Sequence, residues 1–109
     1  LVEFGAHTMT HPNLNNISDE QAQAEIIASK QWVAEHLGHC QHFAYPFGRF
    51  SPKHMDMVKA AGFVSAVSTK KRVEVFNVNK QYCLPRISIG GLMNSVQLRI
   101  ALRVGRYRL

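Results

Sequence analysis

Short apolar runs alternate with longer segments in which apolar residues recur at helical spacing, and this alternation constrains the fold more than any other feature. Strands are predicted over residues 1–5, 42–46, 63–68 and 84–89, and helices over residues 18–37, 52–61 and 94–104. Residues 72–78 fit either a further short strand or an irregular extended piece. Because strands that alternate with helices are joined by crossover connections, this order predicts an α/β fold with a parallel sheet.

Capping signals mark the predicted helix boundaries. Ser18, followed three residues later by Gln21, predicts a capping box at the start of the first helix, and Gly38 predicts its end. Ser51 directly before Pro52 predicts the start of the second helix, because a hydroxyl N-cap and a proline at the first helical position are both favoured. These signals place the two helices independently of their periodicity.

The chain length limits the architecture. A chain of 109 residues forms one domain at most, and residues 1–109 are interpreted as a single partial domain. A complete (β/α) barrel takes about 250 residues, so this chain is at most part of one. The chain begins without Met, already inside a β-like run, which indicates that N-terminal strands are missing. No run of about 18 apolar residues is present, so no membrane span is expected.

The net charge and the cysteines exclude few classes of function. Thirteen Lys and Arg residues against seven Asp and Glu residues give a formal net charge of +6, which can indicate a nucleic acid or anionic polymer partner. No RNA-binding signature and no interleaving of basic with aromatic residues accompanies this charge, so no nucleic acid partner is expected. Cys40 and Cys83 are compatible with two free thiols or with one disulfide.

Two local motifs follow predicted strand ends, where functional residues collect in parallel α/β sheets. His7 and His11 lie four residues apart, and a pair of imidazoles suits Zn²⁺ and other divalent metals, often completed by a carboxylate. Residues 45–48 (YPFG) follow the second strand and favour either an ordinary strand-to-loop corner or a backbone amide aimed at an oxyanion. Taken singly, each motif also fits a purely structural role.

Taken together, the two motifs resemble those of the polysaccharide deacetylases, also called the NodB-homology family or carbohydrate esterase family 4. The resemblance is carried by residues 5–12 (GAHTMTHP) and 45–48 (YPFG). Residues 62–63 and 84–86 resemble later landmarks of the same family, so the resemblance extends over nearly the whole chain. It implies a partial (β/α) barrel of the polysaccharide deacetylase type that lacks its N-terminal strands.

The family resemblance also implies a chemistry for the two motifs. A divalent metal, most often zinc, would be held by an Asp-His-His triad, with His7 and His11 as its histidines. The reaction would remove acetyl groups from an N-acetylated polysaccharide or oligosaccharide through metal-activated water. The backbone amide of Phe47 would help to hold the oxyanion, and Tyr45, Pro46 and Phe47 would contact the substrate.

The sequence departs from the family pattern at several positions. No Asp-Asp pair matches the family's catalytic base and third metal ligand; Asp19 is interpreted as a first-turn helix acid and Asp56 as a solvated residue. Ala44 stands where the family usually has an Arg that orients the base, and Arg86 is the candidate to replace it. Thr8, between the two histidines, is expected to shape the loop by hydrogen bonding.

The general acid of the family has no clear match in this chain. The spare histidines are all expected at the surface; they are His36, His39, His42 and His54. The sequence therefore predicts the C-terminal part of a metal-dependent deacetylase, inactive by itself. The alternative hypotheses are a non-catalytic carbohydrate-binding relative on the same scaffold and a basic module that binds nucleic acid or an anionic polymer. By analogy with the family, the parent protein is expected at the cell envelope or outside the cell.

Overall fold

A computed structural model describes residues 2–71 and 80–104 as a mixed α/β structure. The helices are α1 (Asp19–Leu37), α2 (Pro52–Ala60) and α3 (Ser95–Val104), and the strands are β1 (His42–Ala44), β2 (Ser65–Lys71) and β3 (Leu84–Arg86). Two short 3₁₀ turns, Leu14–Asn16 and Pro46–Gly48, precede α1 and follow β1. The predicted helices are confirmed, and the alternative strand or extended piece at 72–78 lies outside the described residues.

The three strands form one parallel sheet in the order β1-β2-β3. His42 pairs with Ser65 and Ala44 with Val67, and the pairing of β2 with β3 is interrupted by an irregularity between Val67 and Lys71. The parallel arrangement confirms the prediction from element order. It places the carboxyl ends of neighbouring strands at one edge of the sheet, beside the 3₁₀ turn after β1.

The strand predicted over residues 1–5 is wrong for its described part, residues 2–5. Only Ala6 pairs with the sheet, through an isolated parallel bridge to Phe43, with hydrogen bonds of 2.8 and 2.9 Å to the β1 backbone. Val2 and Phe4, whose alternation suggested the strand, are 75% and 48% exposed. Without a buried face, alternation alone does not hold a strand in register.

Helix α1 begins and ends where the capping signals predict. The Ser18 hydroxyl accepts the Gln21 N–H at 3.1 Å, and the Gln21 side chain accepts the Ser18 N–H in return. Ala22, Ile26 and Val33 are buried along one face of the helix. These residues belong to one core cluster with Phe43 of β1 and Ala66 of β2, which anchors α1 to the sheet.

Helix α2 begins at Pro52 after Ser51, as predicted, but its first turn corrects one expectation. His54 was expected at the surface and is instead fully buried. Its Nδ1 accepts the Ser51 N–H at 3.0 Å, so His54 occupies the position that Glu or Gln takes in a capping box. The rest of the ring is enclosed, and Nε2 has no hydrogen-bond partner among the described residues.

The other spare histidines and the cysteines are also placed. His36 and His39 are exposed, as expected, whereas His42 is half-buried and contacts Ser65 Oγ at 2.7 Å and Glu3 Oε2 at 3.1 Å. Both cysteines are free thiols. Across the part of the chain that the structure describes, no helix combines the length and apolar character needed to cross a membrane.

Aromatic side chains dominate the core between the sheet and the helices. Phe43 on β1 lies 5.3 Å, centroid to centroid, from both Tyr45 and Phe63. All three rings are almost completely buried, together with Leu14 and Ile26. Burial of each large apolar side chain contributes about 1.5–3 kcal/mol. The core therefore lies directly beneath the loop and the turn that follow Ala6 and β1.

Candidate functional site

The histidine loop and the YPFG turn, distant in sequence, meet at the carboxyl edge of the sheet. His7 Nδ1 lies 2.7 Å from the Ala44 carbonyl oxygen. The His11 ring packs edge-on against the Phe47 ring, with centroids 4.6 Å apart and an angle of 72° between planes. Both contacts follow from the parallel alignment of Ala6 with Phe43, because the chain leaves each segment at the same edge. The structure thus joins the two predicted motifs into one site.

The two imidazoles lie side by side and are both exposed. Their ring centroids are 4.6 Å apart and their planes meet at 64°. A carbonyl oxygen can only accept, so His7 Nδ1 carries the proton in its bond to Ala44. In the neutral ring this leaves Nε2 with a free lone pair, the arrangement found in metal-binding histidines.

Backbone strain is concentrated in the same place. Among the described residues, three non-glycine residues have positive φ: Thr8 at 66°, His11 at 58° and Phe47 at 59°. Each costs about 1–3 kcal/mol and persists only where the surroundings impose it. Thr8 is β-branched, which makes its conformation especially unfavourable. Such clustering is typical of functional sites.

Hydrogen bonds within the loop hold part of this conformation. The Thr8 hydroxyl accepts the His11 N–H at 3.1 Å and donates to the His7 carbonyl. This agrees with the loop-shaping role expected for Thr8. The bond spans the two histidines and limits how far they can separate.

One residue that holds the loop was not predicted from the sequence. Glu25 on α1 accepts the Met9 N–H at 2.6 Å and the Thr10 N–H at 3.1 Å through Oε2, and the Thr10 hydroxyl through Oε1. Partial burial opposes ionisation, but the bonds from Thr10 and Met9 outweigh it and lower the pKa of Glu25. The available signal was its position, three residues after buried Ala22 and next to Ile26.

The turn after β1 presents the Phe47 backbone amide. The Gly48 and Arg49 N–H groups bond within the turn, to Tyr45 and Pro46 at 2.9 and 3.1 Å, whereas the Phe47 N–H donates to no group within residues 2–71 and 80–104. The Phe47 side chain is 60% exposed. An N–H that has no partner among these residues, in a hydrogen-bonded turn beside an exposed ring, suits an oxyanion donor.

Tyr45 and Pro46 support the turn from below. Both are buried, so of the three predicted substrate-contacting side chains only Phe47 is exposed. The Tyr45 ring stacks on Phe50 at 4.2 Å, and its hydroxyl donates to the Tyr82 carbonyl at 2.7 Å. Burial, with smaller contributions from Cys83 and Tyr82, raises the pKa of Tyr45, which keeps this hydroxyl a donor.

Gly48 is required where it stands. Its φ is +63°, and a Cβ added at Gly48 would overlap the Thr69 side chain, including the Cβ of Thr69. A cavity of about 460 Å³ opens beside it, lined also by Phe50, Ser68 and Lys70. Glycine therefore allows β2 to pass close to the turn.

Arg86 lies at the end of β3, with β2 between it and β1. Its Nε donates to the Ser68 carbonyl at 2.7 Å, and the side chain borders a smaller cavity with Thr69, Ile87 and Ser88. No contact joins this side chain to His7 or His11 among the described residues.

The acidic residues do not complete a metal site. Asp19 pairs with Lys53 at 2.8 Å, and the hydrogen bond from Lys53 lowers the pKa of Asp19. Asp56 is exposed on α2. Over residues 2–71 and 80–104, no group of three His, Cys, Asp or Glu side chains could hold an ion. Two neutral imidazoles fit a divalent metal chemically, but zinc sites generally use at least three protein ligands.

Sequence comparisons relate the chain to known proteins. The family model described as polysaccharide deacetylase matches residues 2–66. A chitooligosaccharide deacetylase from Azorhizobium caulinodans is 34% identical over 62 residues, which cover 54% of this chain and 29% of that protein. The matched family segment includes the histidine loop, helix α1, the YPFG turn and helix α2.

Solved structures show the same fold over most of the chain. The Streptococcus pyogenes deacetylase PplD, in complex with acetate, superposes with a TM-score of 0.81 at 24% identity, covering 89% of this chain and 43% of that one. A polysaccharide deacetylase from Bacillus cereus gives a TM-score of 0.77 at 21% identity, covering 89% of this chain and 31% of that one. The chain thus spans less than half the length of each of these relatives.

Proposed function

Because the chain belongs to the polysaccharide deacetylase family, we propose that its joined histidine loop and YPFG turn form part of a site that removes acetyl groups from an N-acetylated polysaccharide or oligosaccharide. The single observation that carries the proposal is the meeting of the two motifs, with His7 bonded to Ala44 and His11 packed on Phe47. The substrate class follows the chitooligosaccharide deacetylase to which the chain is similar. Acetate, the molecule bound to the similar streptococcal enzyme, is the expected product.

His7 and His11 would hold a divalent metal, and their imidazole nitrogens suit zinc. When bound, such an ion polarises an acetyl carbonyl and makes water a stronger nucleophile. The bond from His7 Nδ1 to Ala44 fixes the ring orientation and keeps Nε2 available as a ligand. The packing of His11 on Phe47 fixes the second ring relative to the turn.

The Phe47 N–H would stabilise the charge that develops on the acetyl oxygen. It has no partner among the described residues, and its orientation is set by the positive φ of Phe47 and by Gly48 behind it. A preorganised donor of this kind is worth about 10²–10³ in kcat. The exposed Phe47 ring offers an apolar face to a sugar ring beside the same position.

Two parts of the reaction require groups outside the described site. The third metal ligand and the general base would be carboxylates, and neither Asp19 nor Asp56 lies with the histidines. We therefore propose that the 109-residue chain alone is inactive and that residues outside it supply both carboxylates. Arg86, anchored through Nε to Ser68, is proposed to orient the base with its terminal nitrogens.

The substrate determines where the protein would act. Acetylated polysaccharides of the kind proposed occur at the cell envelope or outside the cell, so the site is proposed to act there. Nothing in the proposed chemistry requires a nucleic acid partner.

A second candidate function is carbohydrate binding without catalysis. Ala44 in place of the family's Arg, and a pair of histidines without a third ligand within residues 2–71 and 80–104, favour it. The two candidates differ in one measurable property, because a binder would retain affinity for N-acetylglucosamine oligomers without releasing acetate.

The test uses the full-length product of the gene that encodes this chain. Metal content and acetate release from N-acetylglucosamine oligomers are measured for the wild type, His7→Ala, His11→Ala and His39→Ala. His39 is exposed and lies outside the site, so its variant is a matched control. We expect His7→Ala and His11→Ala each to lose bound metal and acetate release, with His39→Ala unchanged. Unchanged metal content and activity in both site variants would overturn the proposal.

A further inference from the structure

The loop that carries the two histidines is attached to helix α1 through one carboxylate. Among the described residues, Glu25 accepts three hydrogen bonds, all from Met9 and Thr10, which lie between His7 and His11 in the sequence. Its Oε2 accepts the two backbone N–H groups, and its Oε1 accepts the Thr10 hydroxyl. Such charge-assisted bonds are about twice as strong as neutral ones.

The loop needs an external restraint because its backbone is strained at both ends. Thr8 and His11 have positive φ, and such conformations persist only where the surrounding structure imposes them. The bond between Thr8 Oγ1 and the His11 N–H restrains one side of the loop. Glu25 restrains the other side, where the Met9 and Thr10 N–H groups would otherwise point to solvent.

Glu25 is well placed to act as a rigid support. It precedes Ile26, which is fully buried, and follows Ala22, also fully buried, by one helical turn. Both neighbours belong to the core cluster that contains Phe43 and Ala66 of the sheet, so the helix that carries Glu25 is held in place. Within the described residues Glu25 forms no ion pair, and both its oxygens are engaged by the loop, so it is not available as a metal ligand or base.

We propose that Glu25 is a positioning residue that holds the His7–His11 loop in the conformation presenting both imidazoles to one metal ion. This inference rests on the proposed function and extends the site to a residue that contacts neither the metal nor the substrate. Supporting side chains of this kind affect metal affinity about 10–100-fold when removed.

The experiment measures zinc affinity and kinetics of the full-length protein carrying Glu25→Ala, Glu25→Gln or Glu35→Ala. Glu35 is exposed on the same helix, and its variant removes the same charge from α1. We expect Glu25→Ala to weaken zinc binding by about 10–100-fold, with Glu35→Ala unchanged. Glu25→Gln, which keeps one accepting oxygen, should recover part of the loss. The kcat should fall with KM for the oligosaccharide unchanged, because Glu25 does not contact substrate.

A spectroscopic readout separates positioning from general destabilisation. With Co²⁺ in place of Zn²⁺, the visible absorption bands report ligand geometry, and Glu25→Ala should alter them while Glu35→Ala should not. If Glu25→Ala does not fold, zinc affinity and the Co²⁺ spectrum are measured on Glu25→Gln and Thr10→Val instead. Thr10→Val removes only the hydroxyl donor to Glu25 Oε1.

The outcomes distinguish this inference from the proposed function. A wild type that binds zinc through His7 and His11, with Glu25 variants of equal affinity and identical Co²⁺ spectra, overturns the positioning role alone. A lower melting temperature without a change in affinity overturns it as well. A wild type whose zinc binding is independent of both histidines overturns the proposed function, and the positioning role falls with it.

Discussion

Gly48→Ala should disturb the YPFG turn in two separable ways. The residue has φ +63°, where an L-residue costs about 1–2 kcal/mol. The new Cβ would also overlap the Thr69 side chain, and overpacking of this kind costs about 1–3 kcal/mol. The combined loss of unfolding free energy is therefore about 2–5 kcal/mol.

A matched glycine separates the two contributions. Gly62 also has a positive φ, +93°, but its nearest neighbour to an added Cβ is Lys30 Cε at 3.6 Å, an ordinary contact. Gly62→Ala should therefore show the conformational cost without the overlap. Adding Thr69→Ala to Gly48→Ala should restore part of the loss, because it removes the two closest overlapping atoms.

The assay is denaturant unfolding of the full-length protein, with acetate release measured on the same samples under native conditions. Because the turn sets the direction of the Phe47 N–H, Gly48→Ala should lower kcat as well as stability, and Gly62→Ala should lower stability alone. Equal losses of stability in the two variants would contradict the predicted overlap with Thr69. A Gly48→Ala variant with wild-type kcat would contradict the predicted effect of the turn on the Phe47 N–H.

Two further predictions concern buried polar groups. Burial, and then the Lys53 charge, lower the pKa of His54 from its ordinary 6.5, with Asp19 opposing. As the pH falls, His54 therefore takes up a proton in the unfolded chain before it does so in the folded chain. The free energy of unfolding should accordingly decrease as the pH drops below about 6.5. His54→Gln keeps a capping side chain and should flatten this dependence in unfolding measured between about pH 5 and 8; an unchanged slope would contradict it. Tyr45→Phe leaves the Tyr82 carbonyl without its donor and should cost about 1–3 kcal/mol, more than Tyr82→Phe, whose hydroxyl is only half-buried. Equal costs in denaturant unfolding would contradict a special role for Tyr45.

Local signals predicted the helices and the direction of the sheet. Ser18 with Gln21 and Ser51 with Pro52 begin α1 and α2 as expected, because capping depends on residues within one turn. The parallel sheet followed from element order. The strand prediction at residues 2–5 was wrong because the alternation of Val2 and Phe4 does not show whether a neighbouring element covers these side chains.

The site could be predicted as two motifs but not as an assembly. The contacts of His7 with Ala44 and of His11 with Phe47 depend on strand register, which only long-range pairing sets. Glu25 was missed for the same reason, since its partners lie 15 and 16 residues away and belong to a loop without periodicity. The burial of Tyr45 likewise depends on Phe50 and Tyr82.

His54 illustrates the limit of reasoning from residue type. A histidine in the first turn of an amphipathic helix is usually solvated, and the sequence predicted this. The ring instead completes a capping box with Ser51, so a backbone requirement at the helix start outweighs the cost of burying a polar ring.

We expect His7 and His11 to bind one metal ion beside the Phe47 amide. The most direct test is a crystal structure of the full-length protein grown with zinc, in which anomalous scattering at the zinc edge locates the ion. We expect one zinc bound by ring nitrogens of His7 and His11 at about 2.0–2.1 Å, with a carboxylate as a further ligand. A zinc ion elsewhere, or histidines without zinc while the site lies open, would contradict it.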